Sequence, residues 1–298
     1  MEKMMLSPAE IYEETINVGI KKAKKSTLKQ TFVSGILAGA FIAFGAFAAV
    51  IASHSVENYG LSKLVAGSVF PVGLILVLIC GAELFTGNSL LVVAYAEKKI
   101  TPFELVKNLT TVYFGNMVGA VLVALLLYGS HSFAGNDNAI GAYLLGAAYK
   151  KSHLGIWTAL FSGVLCNFLV SMAVWGSYGA RDIIGKIFMA WFPVMAFIIS
   201  GFEHSVANMY YFAAGLLIKL NPEIVSSSGL TAEQVAGINA TSIVNNLISV
   251  TAGNLISGMV FVGIAYWSIY KPTHEIDDND DNKKNPLSNN LLFDWKHD

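Results

Sequence analysis

The sequence predicts an all-α polytopic membrane protein: six transmembrane helices built as two inverted three-helix repeats, with the second and fifth helices broken near their middles. Three observations carry this. Hydrophobic residues make up 54% of the 298 residues and charged ones 13%, well below the roughly 25% charged that is usual in soluble domains. Six apolar segments are each near or above the roughly 20 residues that a membrane helix needs. Two of them carry the same polar frame at their centres, a Glu, four residues, then Asn: Glu83 to Asn88 and Glu203 to Asn208. A formal net charge of -1 argues against a nucleic-acid partner, which would call for a basic face. Cys80 and Cys166 fall inside apolar runs and read as small hydrophobes.

Residues 1–30 precede the first apolar segment. Ser7-Pro8-Ala9-Glu10 reads as a capping box with proline at the first helical position, so a helix starts there. Ala9, Tyr12, Ile16 and Ile20 fall on one face, and Lys21, Lys22, Lys24, Lys25 and Lys29 crowd the far end, where the helix dipole favours cations. Five lysines directly before a membrane span predict an amphipathic helix lying on the cytoplasmic leaflet.

The transmembrane unit, residues 31–270, comprises Thr31 to Ser53, Leu64 to Ala96, Leu109 to Ser130, Ile156 to Tyr178, Ile187 to Leu220 and Ala236 to Tyr270. The first run is too long for the apolar core of a signal peptide and is expected to stay as a membrane helix. With the N-terminus inside, Lys98, Lys99, Lys107, Arg181, Lys186 and Lys271 fall in cytoplasmic loops, against Lys63, Lys150, Lys151 and Lys219 outside. The positive-inside rule then puts both termini in the cytoplasm of a multi-pass inner-membrane protein. The tail, 271–298, with Asp277, Asp278, Asp280 and Asp281 among Asn and Lys, reads as disordered cytoplasmic chain.

The segments repeat in order. Ser34-Gly35-Ile36-Leu37 resembles Ser162-Gly163-Val164-Leu165, Phe70-Pro71-Val72 resembles Phe192-Pro193-Val194, and Gly115-Asn116 resembles Gly253-Asn254. Three spans per half is an odd number, so the second half enters the membrane from the opposite side.

Within the second and fifth segments, Thr86, Gly87, Asn88 and Ser89, and Gly201, Ser205 and Asn208, are residues that permit a break and can satisfy the freed amides. Apart from Lys219 at the end of the fifth, Glu83, Glu203 and His204 are the ionisable acid or base side chains in the six segments, and an ionisable group at membrane depth marks a functional site. Two half-helices starting near the midplane would point positive dipole ends at a shared space, which attracts anions. Phe70, Leu74, Phe85 and Phe197 flank the breaks; singly they would pack a core, and as a set they form hydrophobic constrictions that strip water. Lys150 and Lys151, outside against the positive-inside trend, would make an electropositive vestibule. Glu83 and Glu203 read as buried hydrogen-bonding partners of the breaks.

On Phe85-Thr86-Gly87 and Gly201-Phe202-Glu203-His204-Ser205-Val206-Ala207-Asn208-Met209 the chain resembles the formate/nitrite transporter family, from about Thr31 to Tyr270. The resemblance implies an aquaporin-like helical bundle assembled as a homopentamer, with a pathway through each protomer for small monovalent anions of weak acids: formate, nitrite or hydrosulfide. By motif position it assigns Thr86 and His204 to the pathway centre with Asn167 nearby, Phe70 and Phe197 to an outer constriction, Leu74 and Phe85 to an inner one, and Lys151 to the vestibule. Gly87-Asn88 departs from formate-channel members and leaves the preferred anion open.

No cofactor is expected. Neither His-Glu-x-x-His nor Gly-x-Ser-x-Gly occurs, so an enzyme is not the expectation. Two alternatives stay open: an aquaporin-like channel for small neutral solutes, although paired Asn-Pro-Ala turns are absent, and a membrane scaffold or regulator. In the anion reading, desolvation favours the neutral form of the entering acid, and imidazole is the side chain that exchanges protons near neutral pH, so His204 could relay one.

Overall fold

A computed structural model describes residues 5–271. The tail reading, from residue 272 onward, lies outside the described residues. Ser7 closes the expected capping box with Glu10 and starts α1, Pro8–Ile20, which ends in a π-helical turn, Lys21–Lys25. The apolar chain then forms α2, Leu28–Ser53, and α3, Tyr59–Cys80, which bends at Phe70-Pro71. After a break comes α4, Phe85–Ala96, then α5, Pro102–Gly129, and α6, Ala139–Ser152. The second half holds α7, Ile156–Gly179, α8, Ile183–Ser200, a second break, and α9, Ser205–Ile218. Short helices α10, Pro222–Ser227, and α11, Ala232–Gly237, lead to α12, Ala240–Tyr270, whose Ser257–Ile264 stretch is π-helical.

Six of these helices, α2, α3, α5, α7, α8 and α12, are long and apolar enough to cross a membrane. The first and third long helices of each half lie along one another, α2 on α5 and α7 on α12. Small residues allow the approach: a Cβ on Gly119 would run into the carbonyl of Ile36, and one on Gly253 into that of Leu160. Many large apolar side chains face outward, among them Phe114, Trp157, Phe161 and Ile248, as suits lipid or a subunit interface rather than water.

The breaks are backbone events with a common form. At Gly81 (φ 78°) and Gly201 (φ 73°) the chain takes a left-handed turn, leaves the helix for three residues, the last of them extended, and restarts as helix. Only glycine adopts that turn without steric penalty. The expectation that Gly87 permits the first break is therefore corrected: Gly87 lies inside the first turn of α4, packed against Val174, and Gly81 is the hinge.

The N-terminal helix also differs from expectation. Ile11, Tyr12, Thr15 and Gly19 are buried, and α1 packs on α4, on α7 and on the end of α12 rather than presenting its apolar face to lipid. Tyr12 Oη donates to Glu97 Oε1 (2.6 Å), which also accepts from Trp267 Nε1 (2.8 Å).

Candidate functional site

The two breaks meet. Thr86, in the first turn of α4, and His204, the residue that caps α9, are buried with Thr86 Oγ1 and His204 Nε2 2.9 Å apart. His204 Nδ1 accepts from the Ala207 amide (3.2 Å), as an N-cap side chain does. The ring hydrogen therefore sits on Nε2, which donates to Thr86 Oγ1; the tautomer follows from the network.

Each break is held by an asparagine from the third long helix of its half. Asn116 Oδ1 accepts from the Phe85 amide (2.9 Å), and its Nδ2 donates to the carbonyls of Gly35 (2.8 Å) and Glu83 (2.9 Å). Asn254 does the same work, accepting from the Ser205 amide (3.0 Å) and donating to Gly163 O (2.8 Å) and Glu203 O (3.1 Å). The first amide of each half-helix, that of Phe85 or Ser205, is thus satisfied from across the fold, where the sequence suggested local side-chain caps.

A second repeated unit surrounds each glutamate. Asn88 Nδ2 donates to Glu83 Oε2 and to Asn108 Oδ1, while Lys22 Nζ bonds Asn88 Oδ1 (2.7 Å) and lies 3.4 Å from Glu83 Oε2. In the other half Asn208 Nδ2 donates to Glu203 Oε2 (2.6 Å) and Asn246 Oδ1 (2.9 Å), and Lys151 Nζ bonds Glu203 Oε1 at 2.8 Å. Asn108 and Asn246 close each ring by donating to the backbone carbonyls of Lys22 and Lys151. Both carboxylates are thereby paired and hydrogen-bonded, as buried charges must be. Burial works to lower the Lys22 ammonium, and the charge of Glu83, the neighbouring Tyr178 and the hydrogen bond to Glu83 together outweigh it, so Lys22 is held above its ordinary value.

Two cavities approach this centre from opposite ends. One, about 420 Å³, is lined by Lys63, Lys150, Lys151, Glu203, Tyr211 and Asn208 and closes on Phe70, Phe197 and His204. The other, about 300 Å³, is lined by Lys21, Lys22, Glu83, Gly87 and Asn88 and closes on Leu74 and Leu84. Between them, Phe70, Leu74, Leu84, Phe197 and His204 enclose only about 10 Å³, at the lower limit for one water. Phe70 and Phe197 meet edge to face at 5.7 Å, and Phe197 stacks on His204 at 5.9 Å.

Phe85 does not join this constriction. It packs on Tyr113 at 4.9 Å, and the preceding Leu84, extended at φ -102° and ψ 125°, faces Leu74 in its place. Neighbours on extended chain point to opposite sides, so a one-residue step exchanges the packed core for the enclosed space between the cavities. Asn167 stands behind the centre: its Nδ2 donates to Asn254 O (2.6 Å), with longer contacts to Thr86 O (3.3 Å) and Ser89 Oγ (3.4 Å). Ser205 is buried at the start of α9. Sequence reasoning missed Leu84, Lys22, Asn108 and Asn246; Asn116 and Asn254 stood in the repeat without an assigned role. Among the described residues no cluster of three or more His, Cys, Asp or Glu is placed to hold a metal.

The family model described as Formate/nitrite transporter matches residues 9–268. The chain is 40% identical over 271 residues to Formate channel FocA of Escherichia coli strain K12, covering 89% of this chain and 95% of that protein. It is 39% identical over 269 residues to the uncharacterized transporter YrhG of Bacillus subtilis, covering 88% of this chain and 93% of that one. Among solved structures it resembles a "Pentameric formate channel with formate bound", with a TM-score of 0.77 and 36% identity over 83% of this chain and 99% of that one.

Proposed function

This chain belongs to the formate/nitrite transporter family, and on that premise we propose that it is a membrane channel or transporter, not an enzyme, for formate and similar small monovalent anions of weak acids. The observation that carries the reading is the meeting of two half-helix starts at Thr86 and His204, between two lysine-bearing cavities and behind an apolar constriction. The match to a formate-bound pentamer supports a homopentamer with a pathway in each protomer. Residues 31–270 form the channel unit, in the cytoplasmic membrane with both termini inside and the Lys151 cavity outside.

The mechanism follows from the geometry. An anion in either cavity meets Phe70 and Phe197 on one side or Leu74 and Leu84 on the other, and must shed water to pass. Beyond them the amide ends of α4 and α9 carry partial positive charge. Because His204 Nε2–H points at Thr86 Oγ1, the Thr86 hydroxyl hydrogen is left to donate to the permeant anion. A desolvated anion is costly there, which favours passage as the neutral acid with a proton exchanged through the His204–Thr86 pair. Lys151 and Glu203 support the outer cavity and the second break, as Lys22 and Glu83 do for the first.

Stopped-flow light scattering on proteoliposomes of the purified protein tests this, with formate, nitrite, hydrosulfide, chloride and glycerol as challenges. Rapid uptake of the weak-acid anions, with chloride and glycerol slow, is the expected result and ranks the substrates. Uptake of glycerol alone returns the neutral-solute alternative, and no uptake by intact oligomers supports the scaffold.

A further inference from the structure

At both mouths of the pathway the chain carries adjacent lysines, Lys21-Lys22 and Lys150-Lys151, and the two members of each doublet have different surroundings. Lys151 is bound to Glu203 at 2.8 Å and Lys22 lies 3.4 Å from Glu83, so each of these charges is offset by its own carboxylate. Lys150 and Lys21 line the same cavities, and neither has an acidic partner among the described residues. The Lys151 cavity holds one more such cation. Lys63 lines it beside the second break, where a Cβ on Gly201 would lie 3.6 Å from Lys63 Nζ; the ammonium sits over the ring of Tyr59, at 5.6 Å.

We propose that Lys63 and Lys150 form an anion-capture subsite in the mouth of the larger cavity, and that Lys151 is instead a positioning residue that anchors the second break. The ligand class is a hydrated monovalent carboxylate or inorganic anion. The charges of Lys151 and Glu203 cancel at distance, leaving a dipole, whereas Lys63 and Lys150 present net charge to the cavity. One unit charge about 8 Å away in water of low ionic strength raises the local concentration of a monovalent anion roughly twofold and lowers that of a cation by the same factor. The smaller cavity repeats the plan with Lys21 exposed and Lys22 clamped. The identity of the captured ion rests on the formate-channel reading; the charge assignment does not.

The test separates the two. In a Cys80→Ser background, Ala147→Cys puts a thiol in the lining of the larger cavity. Its modification rates by an anionic and a cationic methanethiosulfonate, measured on the reconstituted full-length protein at low salt, report the local potential. The anionic reagent is expected to be favoured over its rate ratio with a free thiol. Lys150→Gln and Lys63→Gln should each lower that ratio roughly fivefold, and high salt should erase the difference. Removing both charges of the pair, with Lys151→Gln/Glu203→Gln, should leave it within about twofold. A ratio unmoved by Lys63→Gln/Lys150→Gln overturns the proposal, as does a larger loss from the Lys151/Glu203 double change. In parallel, Lys63→Gln/Lys150→Gln should slow formate uptake several-fold at low formate and low salt, with Lys150→Arg close to wild type. If the wild type carries no formate, the functional reading fails while the thiol ratios still decide where the charge resides.

Discussion

The two half-sites are built from the same parts and held by different means. In each, a lysine, a glutamate and two asparagines surround a break, and a third asparagine caps the new helix from across the fold. The second half takes its lysine from α6, packed on α9 and α10, and the ion pair is 2.8 Å. The first takes Lys22 from the π-helical turn that follows α1, ahead of the spanning helices, and the pair opens to 3.4 Å. One break is thus fastened by the core and the other by a segment that docks on it. A further asymmetry is chemical: His204 caps α9, while Leu84 at the equivalent place has no capping side chain. The symmetric parts make the scaffold, and the imidazole to which the proposed function gives the proton exchange stands where the symmetry fails.

The largest expected effects lie in what the halves share. Asn254→Ala and Asn116→Ala each strip three hydrogen bonds from buried backbone, at roughly 1–3 kcal/mol apiece. Each should cost on the order of 3–5 kcal/mol, read as a fall in the thermal unfolding midpoint of the purified oligomer. Similar losses sharpen the equivalence, and a harmless Asn116→Ala would break it. The lysines should then separate the halves. Breaking a buried pair costs about 3–5 kcal/mol; with Lys151 19% exposed, and glutamine still able to hydrogen-bond, Lys151→Gln should cost about 2 kcal/mol and Lys22→Gln, in the looser pair, about half that. Equal losses would mean that the N-terminal clamp is as firm as the one in the core.

Smaller effects test the hinges and the latch. Gly81→Ala and Gly201→Ala should each cost about 1–2 kcal/mol, because only the positive φ is strained: nothing lies within 4 Å of a Cβ at Gly81, and only Lys63 Nζ near one at Gly201. Tyr12→Phe removes the bond to Glu97 at about 1 kcal/mol and should raise hydrogen exchange in α1 alone. Burial, then the hydrogen bond and charge of Glu97, push the Tyr12 phenol above its ordinary value. A raised folded value means the contact is fully present below the phenol's ordinary pKa of about 10 and is lost only as pH climbs past it. Exchange in α1 that rises between pH 7 and 9 through Tyr12 would contradict this.

The long apolar runs made the six spans legible, because hydropathy and length survive any tertiary arrangement. The meeting of Thr86 with His204 was also within reach, since both breaks carry polar residues that an apolar helix excludes. What escaped is what depends on local backbone or distant partners. Gly81 and Gly87 look alike in sequence, and only φ tells the hinge from the helical residue. Leu84 and Phe85 are both apolar, and the extended step between them decides which faces the constriction. Lys22 sits in a run of surface-type lysines and meets Asn88 only because α1 folds under the bundle, 66 residues away in the chain. Lys150 and Lys151 are indistinguishable until Glu203 selects one.

The central claim is that the two breaks converge on a single proton-exchanging pair, His204 and Thr86. Its most direct test is the pH profile of formate uptake into proteoliposomes, wild type beside His204→Asn, since asparagine keeps a capping acceptor for α9 and cannot exchange a proton near neutral pH. The account predicts that uptake by the wild type changes steeply with pH and that the profile of the folded variant is flat. A folded His204→Asn protein with the wild-type profile would contradict it.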